Sequence, residues 1–254
     1  MHNAAFAALG LPHSYALHET ADAEDVRAAM AAPDFGGASV TIPLKQAVIP
    51  LLDALTPAAR QIGAVNTVVR DGARLVGDNT DYVGIVGCLR QAQLDAHAAP
   101  FAEAAALVIG AGGTSRAALF ALHTLGVPRV RVFNRTAERA RELVREFAPL
   151  FAALTVVERL EDAAGAAYIV GTIPASDLCL PDALFGGVGV ALDMAYKPRW
   201  TPLLEVASRR KWGVVHGVAV LIEQGIHQME RWTGAVAPAK CMGDAVHAKY
   251  NEEF

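Results

Sequence analysis

The sequence predicts an α/β protein of two domains, one of them built on a parallel sheet. Three observations lead there. At 254 residues the chain is long enough for one large or two modest domains. The first hundred residues mix helical stretches, short β-branched runs and a hairpin signal. From Ala104 onward, continuous apolar runs alternate with helical spacing, the pattern of parallel βαβ units whose strands are buried on both faces.

Composition narrows the class further. Apolar residues make up 53% and charged residues 19%, which supports buried cores and argues against a disordered chain. The 22 basic and 26 acidic residues leave a net charge of −4, so there is no basic excess for a nucleic-acid backbone. Cys88, Cys179 and Cys241 are scattered, without CxxC spacing; this excludes a disulfide framework and suits a reducing compartment. The eight histidines show no HxH or HExxH spacing, so no metal is expected. No GxSxG elbow points to a hydrolase. No apolar run reaches the ~18 residues that span a bilayer, and Met1-His2-Asn3 lacks a basic, then apolar, leader pattern. The expected setting is soluble and cytoplasmic, with neither membrane nor nucleic acid as partner.

The elements follow in order. Residues 22–32 read as a helix with an acidic first turn. Ala38–Ile42 reads as a strand between Gly36-Gly37 and Pro43. Ala64–Arg70 and Ala73–Gly77 flank Asp71-Gly72, a hairpin signal. Helical spacing runs from Asp81 to about Gln93, and Asp95–Phe101 breaks it, marking a hinge. A buried strand is expected at Ala104–Ile109, then a helix to Leu125, a turn at Gly126, a strand at Arg129–Phe133 and a helix at Ala137–Phe147. Further apolar runs stand at Ala166–Gly171 and Val188–Leu192, and a last long helix at about Val218–Trp232. The reading divides the chain into a substrate or catalytic domain (1–97), a nucleotide-binding domain (98–215) and C-terminal helices (216–254) returning to the first, with a cleft between the two α/β domains.

Three local patterns carry chemistry. In Gly110-Ala111-Gly112-Gly113-Thr114-Ser115 a buried strand runs into glycines and opens a helix. Glycines let the backbone approach a pyrophosphate, and the helix start supplies free N–H groups. This is a Rossmann-like dinucleotide site, with Ser115 at the third glycine position; the plain alternative is a tight βα turn. The next strand ends at Asn134-Arg135-Thr136, where an acidic residue would suit a ribose 2′-hydroxyl. Residues 129–145 instead hold six arginines against two glutamates, and Arg135 and Arg139 are the pair expected to meet a 2′-phosphate. A solvated helix face accounts for Arg141 and Arg145. Third, the chain writes 17 of its 22 cations as arginine, yet keeps Lys45, its one lysine before residue 196, in Ser39-Val-Thr41-Ile-Pro43-Leu-Lys45. Arginine stays protonated, whereas a lysine can be tuned for proton transfer. Asp81, closing Gly77-Asp78-Asn79-Thr80-Asp81, reads alternatively as a helix N-cap. Asn66 is a polar residue in an apolar strand, whose amide a hydroxylated ligand could partner. Gln224, on the last long helix, caps a pocket or faces solvent.

Taken together, SVTIPLK, IGAVNTV, GDNTD, GAGGTSRA, NRT, LDMAYKPRWTPLL and GVAVLIEQG resemble the shikimate dehydrogenase family, in its order and over nearly the whole chain. FGGASVTIPLK and VLIEQG look especially like the dehydrogenase module of the fungal multifunctional shikimate-pathway polypeptide. The resemblance implies reversible reduction of 3-dehydroshikimate to shikimate with NADP as cofactor. It implies catalytic roles for Lys45 and Asp81, and substrate contacts for Thr41, Asn66, Tyr196 and Gln224. Gly110 to Ser115 then cradle the cofactor phosphates, Asn134, Arg135, Thr136 and Arg139 surround the adenosine phosphate, and Met194 and Gly217 lie near the nicotinamide. A homodimer or a module of a larger multifunctional enzyme is the implied assembly. Quinate or quinate/shikimate dehydrogenase activity is the near alternative; a non-catalytic ligand-sensing module is the distant one. The family's opening strand and Ser-x-Ser turn, which hold the substrate carboxylate, are absent from the sequence starting at Met1. Weak shikimate binding with ordinary cofactor binding is therefore expected.

Overall fold

The computed structural model describes residues 1–174 and 178–253. Its contacts divide the chain into two compact units, 1–83 with 222–254, and 84–221. Both divisions fall inside long helices, whereas the sequence reading breaks the chain at 97/98 and 215/216. A helix running on from one unit into the next keeps its helical period through the division.

The first unit holds α1 (His2–Ala8), α2 (Ala23–Met30), β1 (Gly37–Ser39), α3 (Leu44–Ala47), β2 (Ala54–Leu55), α4 (Pro57–Ile62), β3 (Thr67–Asp71) and β4 (Arg74–Asp78). Its sheet runs β1-β3-β4-β2, antiparallel except for the parallel β2–β4 pair. The hairpin expected at Asp71-Gly72 is present: Asp71 pairs with Arg74 across a two-residue turn, and Gly72 sits at φ +60°, where a side chain would be strained. The strand expected over Ala38–Ile42 is shorter and earlier. Its pairing ends at Ser39 opposite Thr67, because the chain then turns into α3 through Pro43, which has no N–H for a ladder. Helix α5 (Asp81–Ala96) leaves this unit, and its regular turns continue through Asp95 into the stretch read as a hinge.

The second unit follows with β5 (Ala105–Ile109), α6 (Gly113–Thr124), β6 (Arg129–Phe133), α7 (Ala137–Phe147), β7 (Ala153–Val156), β8 (Tyr168–Gly171), β9 (Val190–Asp193), α8 (Pro202–Arg209) and β10 (Gly213–Val215). All pairs in its six-stranded sheet are parallel, in the order β10-β9-β8-β5-β6-β7. The order reverses at β5, which has β6 on one side and β8 on the other, a doubly wound sheet whose ligand crevice is expected beyond those strand ends. Leu107, Ile109, Ile169, Ala191 and Leu204 form part of its core; β8 and β9 are buried along their whole length, as the continuous apolar runs require.

Helix α9 (Gly217–Thr233) ends in the first unit, followed by α10 (Ala239–Glu253). Met229 of α9 and Met242 of α10 bury against Ala5 and Phe6 of α1. No described helix is long and apolar enough to cross a membrane.

Candidate active site

In the first unit, Lys45 sits on α3, one turn after Thr41, whose carbonyl accepts the Leu44 N–H at 2.8 Å. Asp81 opens α5. Both side chains are about nine-tenths buried, and Lys45 Nζ donates to Asp81 Oδ2 at 2.6 Å. A buried ion pair persists only when its other lone pairs and protons are satisfied. Here Asp81 Oδ1 accepts from Asn66 Nδ2 at 2.9 Å. The N-cap reading of Asp81 does not hold: it is already helical, its carboxylate faces Lys45 and Asn66, and Asn79 Oδ1 takes the Asp81 N–H at 3.1 Å.

Asn66 is the hub of this cluster. Its Oδ1 accepts from the Thr67 hydroxyl and the Thr80 N–H, each at 2.7 Å. Its Nδ2 lies 2.9–3.1 Å from Asp81 Oδ1, Thr80 Oγ1 and Gln224 Oε1, three acceptors for two hydrogens. The protein itself thus partners the amide that the sequence reading left for a ligand. Gln224 is buried, which removes the solvent-facing alternative. Gln228, one turn further along α9 and also buried, donates from Nε2 to the Asn66 carbonyl and Thr67 Oγ1, both at 3.1 Å, and accepts from Ser39 Oγ at 2.8 Å. Sequence reasoning passed over Gln228, Thr67 and Thr80. Gln at i and i+4 on one apolar helix face was the signal available for Gln228. Thr41 is exposed in this unit; Tyr196, 39% exposed, belongs to the other.

In the second unit, β5 ends at Ile109 and the chain enters the glycine loop. Gly110 has φ +123°, and a Cβ there would collide with the Thr172 hydroxyl. Gly112 is different: a Cβ there would meet nothing within 4 Å, so protein packing does not require glycine at that position. An open backbone leading into the first turn of a 12-residue helix is the setting in which a helix N-terminus can receive an anion. Ser115 is fully buried, accepts the Gly112 N–H at 2.9 Å and lies 2.6 Å from Thr172 Oγ1.

Beyond β6, Asn134 Nδ2 donates to the Thr136 carbonyl at 2.8 Å and shapes that turn. The arginines of this stretch separate by partner. Arg129 and Arg131 donate to the carbonyls of Glu103 and Ala164. Arg141 pairs with Glu138 and Glu158, and Arg145 with Glu138. Among the described residues, the exposed side chains of Arg135 and Arg139 make neither ion pair nor hydrogen bond. Two free guanidiniums beside a glycine loop fit a dinucleotide that carries an extra phosphate.

At the end of β9, Asp193 is buried; burial raises its carboxyl above the usual range, against the opposing pull of the Thr201 hydroxyl and the Ala195 N–H. It accepts from Ala195 N at 3.1 Å and Thr201 Oγ1 at 2.6 Å, pinning both ends of the segment that carries Met194 and Tyr196. Gly217 lies against this segment: a Cβ there would come within 2.6 Å of the Met194 carbonyl. Met194 and Gly217, both expected from the family resemblance near the nicotinamide, are thus neighbours.

Two family models match the chain, one for the shikimate dehydrogenase substrate-binding domain over residues 1–68 and one for shikimate/quinate 5-dehydrogenase over residues 92–178. The pentafunctional AROM polypeptide of Mycosarcoma maydis is 41% identical over 94% of this chain, and that of Malassezia globosa 43% identical over 98%. The chain spans 16% of the length of each of those two relatives. Among solved structures, shikimate 5-dehydrogenase from Thermus thermophilus in complex with shikimate superposes with a TM-score of 0.82 at 35% identity, covering 98% of this chain and 92% of that one. The same enzyme in complex with NADP(H) and shikimate gives 0.81. The dehydroquinate dehydratase and shikimate dehydrogenase portion of S. pombe AroM gives 0.78 at 38% identity, covering 97% of this chain and 49% of that one.

Proposed function

The chain belongs to the shikimate dehydrogenase family, and from that premise we propose that it reduces 3-dehydroshikimate reversibly to shikimate with NADPH. The observation that carries the chemistry is the buried Lys45–Asp81 pair with Asn66 on its second carboxylate oxygen. We assign Lys45 as the proton donor. Its ammonium delivers a proton to the ketone oxygen as the carbon beneath becomes tetrahedral, and takes it back from the hydroxyl in the oxidation direction. Asp81 holds the Lys45 Nζ in place and keeps the charge of the pair balanced when the proton moves. Asn66 and Gln224 fix the Asp81 side of the cluster and offer polar edges to the substrate hydroxyls; the exposed hydroxyls of Thr41 and Tyr196 are assigned to the substrate as well. Positioned acid–base help of this kind is worth ~10²–10⁴ in rate.

The cofactor, when bound, supplies or receives the hydride. Gly110 to Ser115 would hold its phosphates, with the start of α6 lending backbone N–H groups. Asn134 and Thr136 shape the adenosine turn, and Arg135 and Arg139 would grip the 2′-phosphate. Met194 and Gly217 are assigned to the nicotinamide end.

Initial rates with shikimate or quinate, each with NADP⁺ or NAD⁺, test this reading through the nicotinamide absorbance. Shikimate with NADP⁺ is expected to be the fastest pairing. Faster turnover of quinate would move the assignment to the related quinate activity, and equal use of NAD⁺ would remove the role of Arg135 and Arg139.

A further inference from the structure

Thr172 follows Gly171, the last residue of β8, at the point where the six-stranded sheet reverses direction beside β5. Its N–H and its hydroxyl both donate to the Ile109 carbonyl at the end of β5, at 2.9 and 2.8 Å. That carbonyl has two lone pairs, and Thr172 fills both. The Thr172 proton is therefore committed. At the 2.6 Å contact with Ser115 Oγ, Thr172 has only an acceptor to offer, so Ser115 donates. Ser115 Oγ keeps its own acceptor side for the Gly112 N–H at 2.9 Å. The result is a directed chain, from Gly112 N–H to Ser115, to Thr172, to the Ile109 carbonyl, closing the glycine loop back onto the strand it leaves.

Two consequences follow. The Gly112 N–H is turned inward and is spent on Ser115, so an anion would meet the start of α6 and not Gly112. Gly110 and Thr172 are also fitted to each other, since a Cβ at Gly110 would collide with the Thr172 hydroxyl. In the GxGxxG pattern the third glycine serves close helix–strand packing. This chain has buried Ser115 there, and its hydroxyl is accommodated because Thr172 receives it.

We propose that Thr172 is a positioning residue for the cofactor loop, holding Gly110 to Ser115 in the phosphate-accepting shape through Ser115. This rests on reading that loop as the NADP site. Calorimetric titration of the full chain with NADP⁺ and with adenosine 2′-monophosphate, which lacks the pyrophosphate, tests it. Thr172→Val keeps the shape and removes the hydroxyl; NADP⁺ should bind about tenfold more weakly, while adenosine 2′-monophosphate binds as to the unaltered protein. Thr172→Ser should restore NADP⁺ affinity. Combining Thr172→Val with Ser115→Ala should weaken binding no further than the worse single change, because a chain breaks once. Unchanged NADP⁺ affinity in Thr172→Val overturns the proposal, as does parallel loss of both ligands, which would mark general damage to the unit. If the unaltered chain binds no NADP⁺, the cofactor reading itself fails and the proposal falls with it.

Discussion

At the scale of single residues, the two units present different electrostatic problems. Lys45 and Asp81 are buried and paired with each other, whereas the Arg135 and Arg139 side chains are exposed and have no ion pair among the described residues. Arg135→Ala should therefore cost nothing in stability and about tenfold or more in NADP⁺ affinity, since a hydrogen bond to a charged group contributes ~1.5–3 kcal/mol; NAD⁺ affinity should not move. Parallel titrations with both cofactors check this. Asp81→Asn leaves the Lys45 ammonium buried without its counter-charge, which typically costs ~3–5 kcal/mol. A lowered melting temperature together with lost turnover is the expected pair of results. A variant as stable as the parent would mean that Lys45 finds another anion.

At the scale of elements, helix α9 ties the first unit together. Gln228 reaches β1 through Ser39 and β3 through Thr67, and Trp232 Nε1 donates to the Val68 carbonyl at 2.9 Å. Arg231 meets buried Asp78 at 2.9 Å, and the Thr56 hydroxyl meets the other oxygen of that carboxylate at 2.6 Å. Gln228→Leu would strip partners from Ser39, Thr67 and the Asn66 carbonyl. Leaving buried polar groups unsatisfied costs ~1–3 kcal/mol each, so urea unfolding should shift to a clearly lower midpoint while NADP⁺ affinity stays constant. An unshifted midpoint would show that water replaces the amide.

Elements with strong periodicity were legible from sequence. The strand at Arg129–Phe133 and the helix at Ala137–Phe147 match β6 and α7 end to end, and the last long helix matches α9 to within a residue at each end. Alternating arginine and valine over 129–132 mark a strand with one face buried, and Ala140, Leu143 and Phe147 at helical spacing mark a half-buried helix. The three-residue edge strand β10 and the four-residue edge strand β7 were not legible, because an edge strand this short carries too few positions to show a period. The short helix α1 escaped for the same reason. At the site, Lys45 stood out by its rarity and the glycine loop by its setting. The bonds that orient them were not readable: Thr67, Gln228 and Thr172 are ordinary residues, with partners as far as 189 positions away.

At the scale of the whole molecule, pH acts on stability through His2. It is buried with its ring 4.7 Å from Tyr15 and 4.9 Å from Trp232, and its Nδ1 has no hydrogen-bond partner among the described residues. Burial, helped by the positive amino terminus and opposed by a hydrogen bond with Gln228, lowers its pKa to about 4 from 6.5. The folded protein thus binds fewer protons than the unfolded chain between those values, so stability rises with pH across the window. It is fully present above 6.5 and lost as pH falls toward 4; the loss amounts to up to about 3 kcal/mol. His2→Phe keeps an aromatic ring between Tyr15 and Trp232 and cannot titrate. Its urea midpoint should decline less steeply between neutral and acidic pH, and parallel curves for the two proteins would contradict the assignment.

We propose that one buried lysine moves the proton while the cofactor is held by other residues in the second unit. Lys45→Ala tests it most directly, with shikimate oxidation by NADP⁺ and NADP⁺ affinity measured on the same preparation. A fall in kcat of about 10²-fold or more with NADP⁺ affinity unchanged is expected. Near-normal kcat in Lys45→Ala would contradict it.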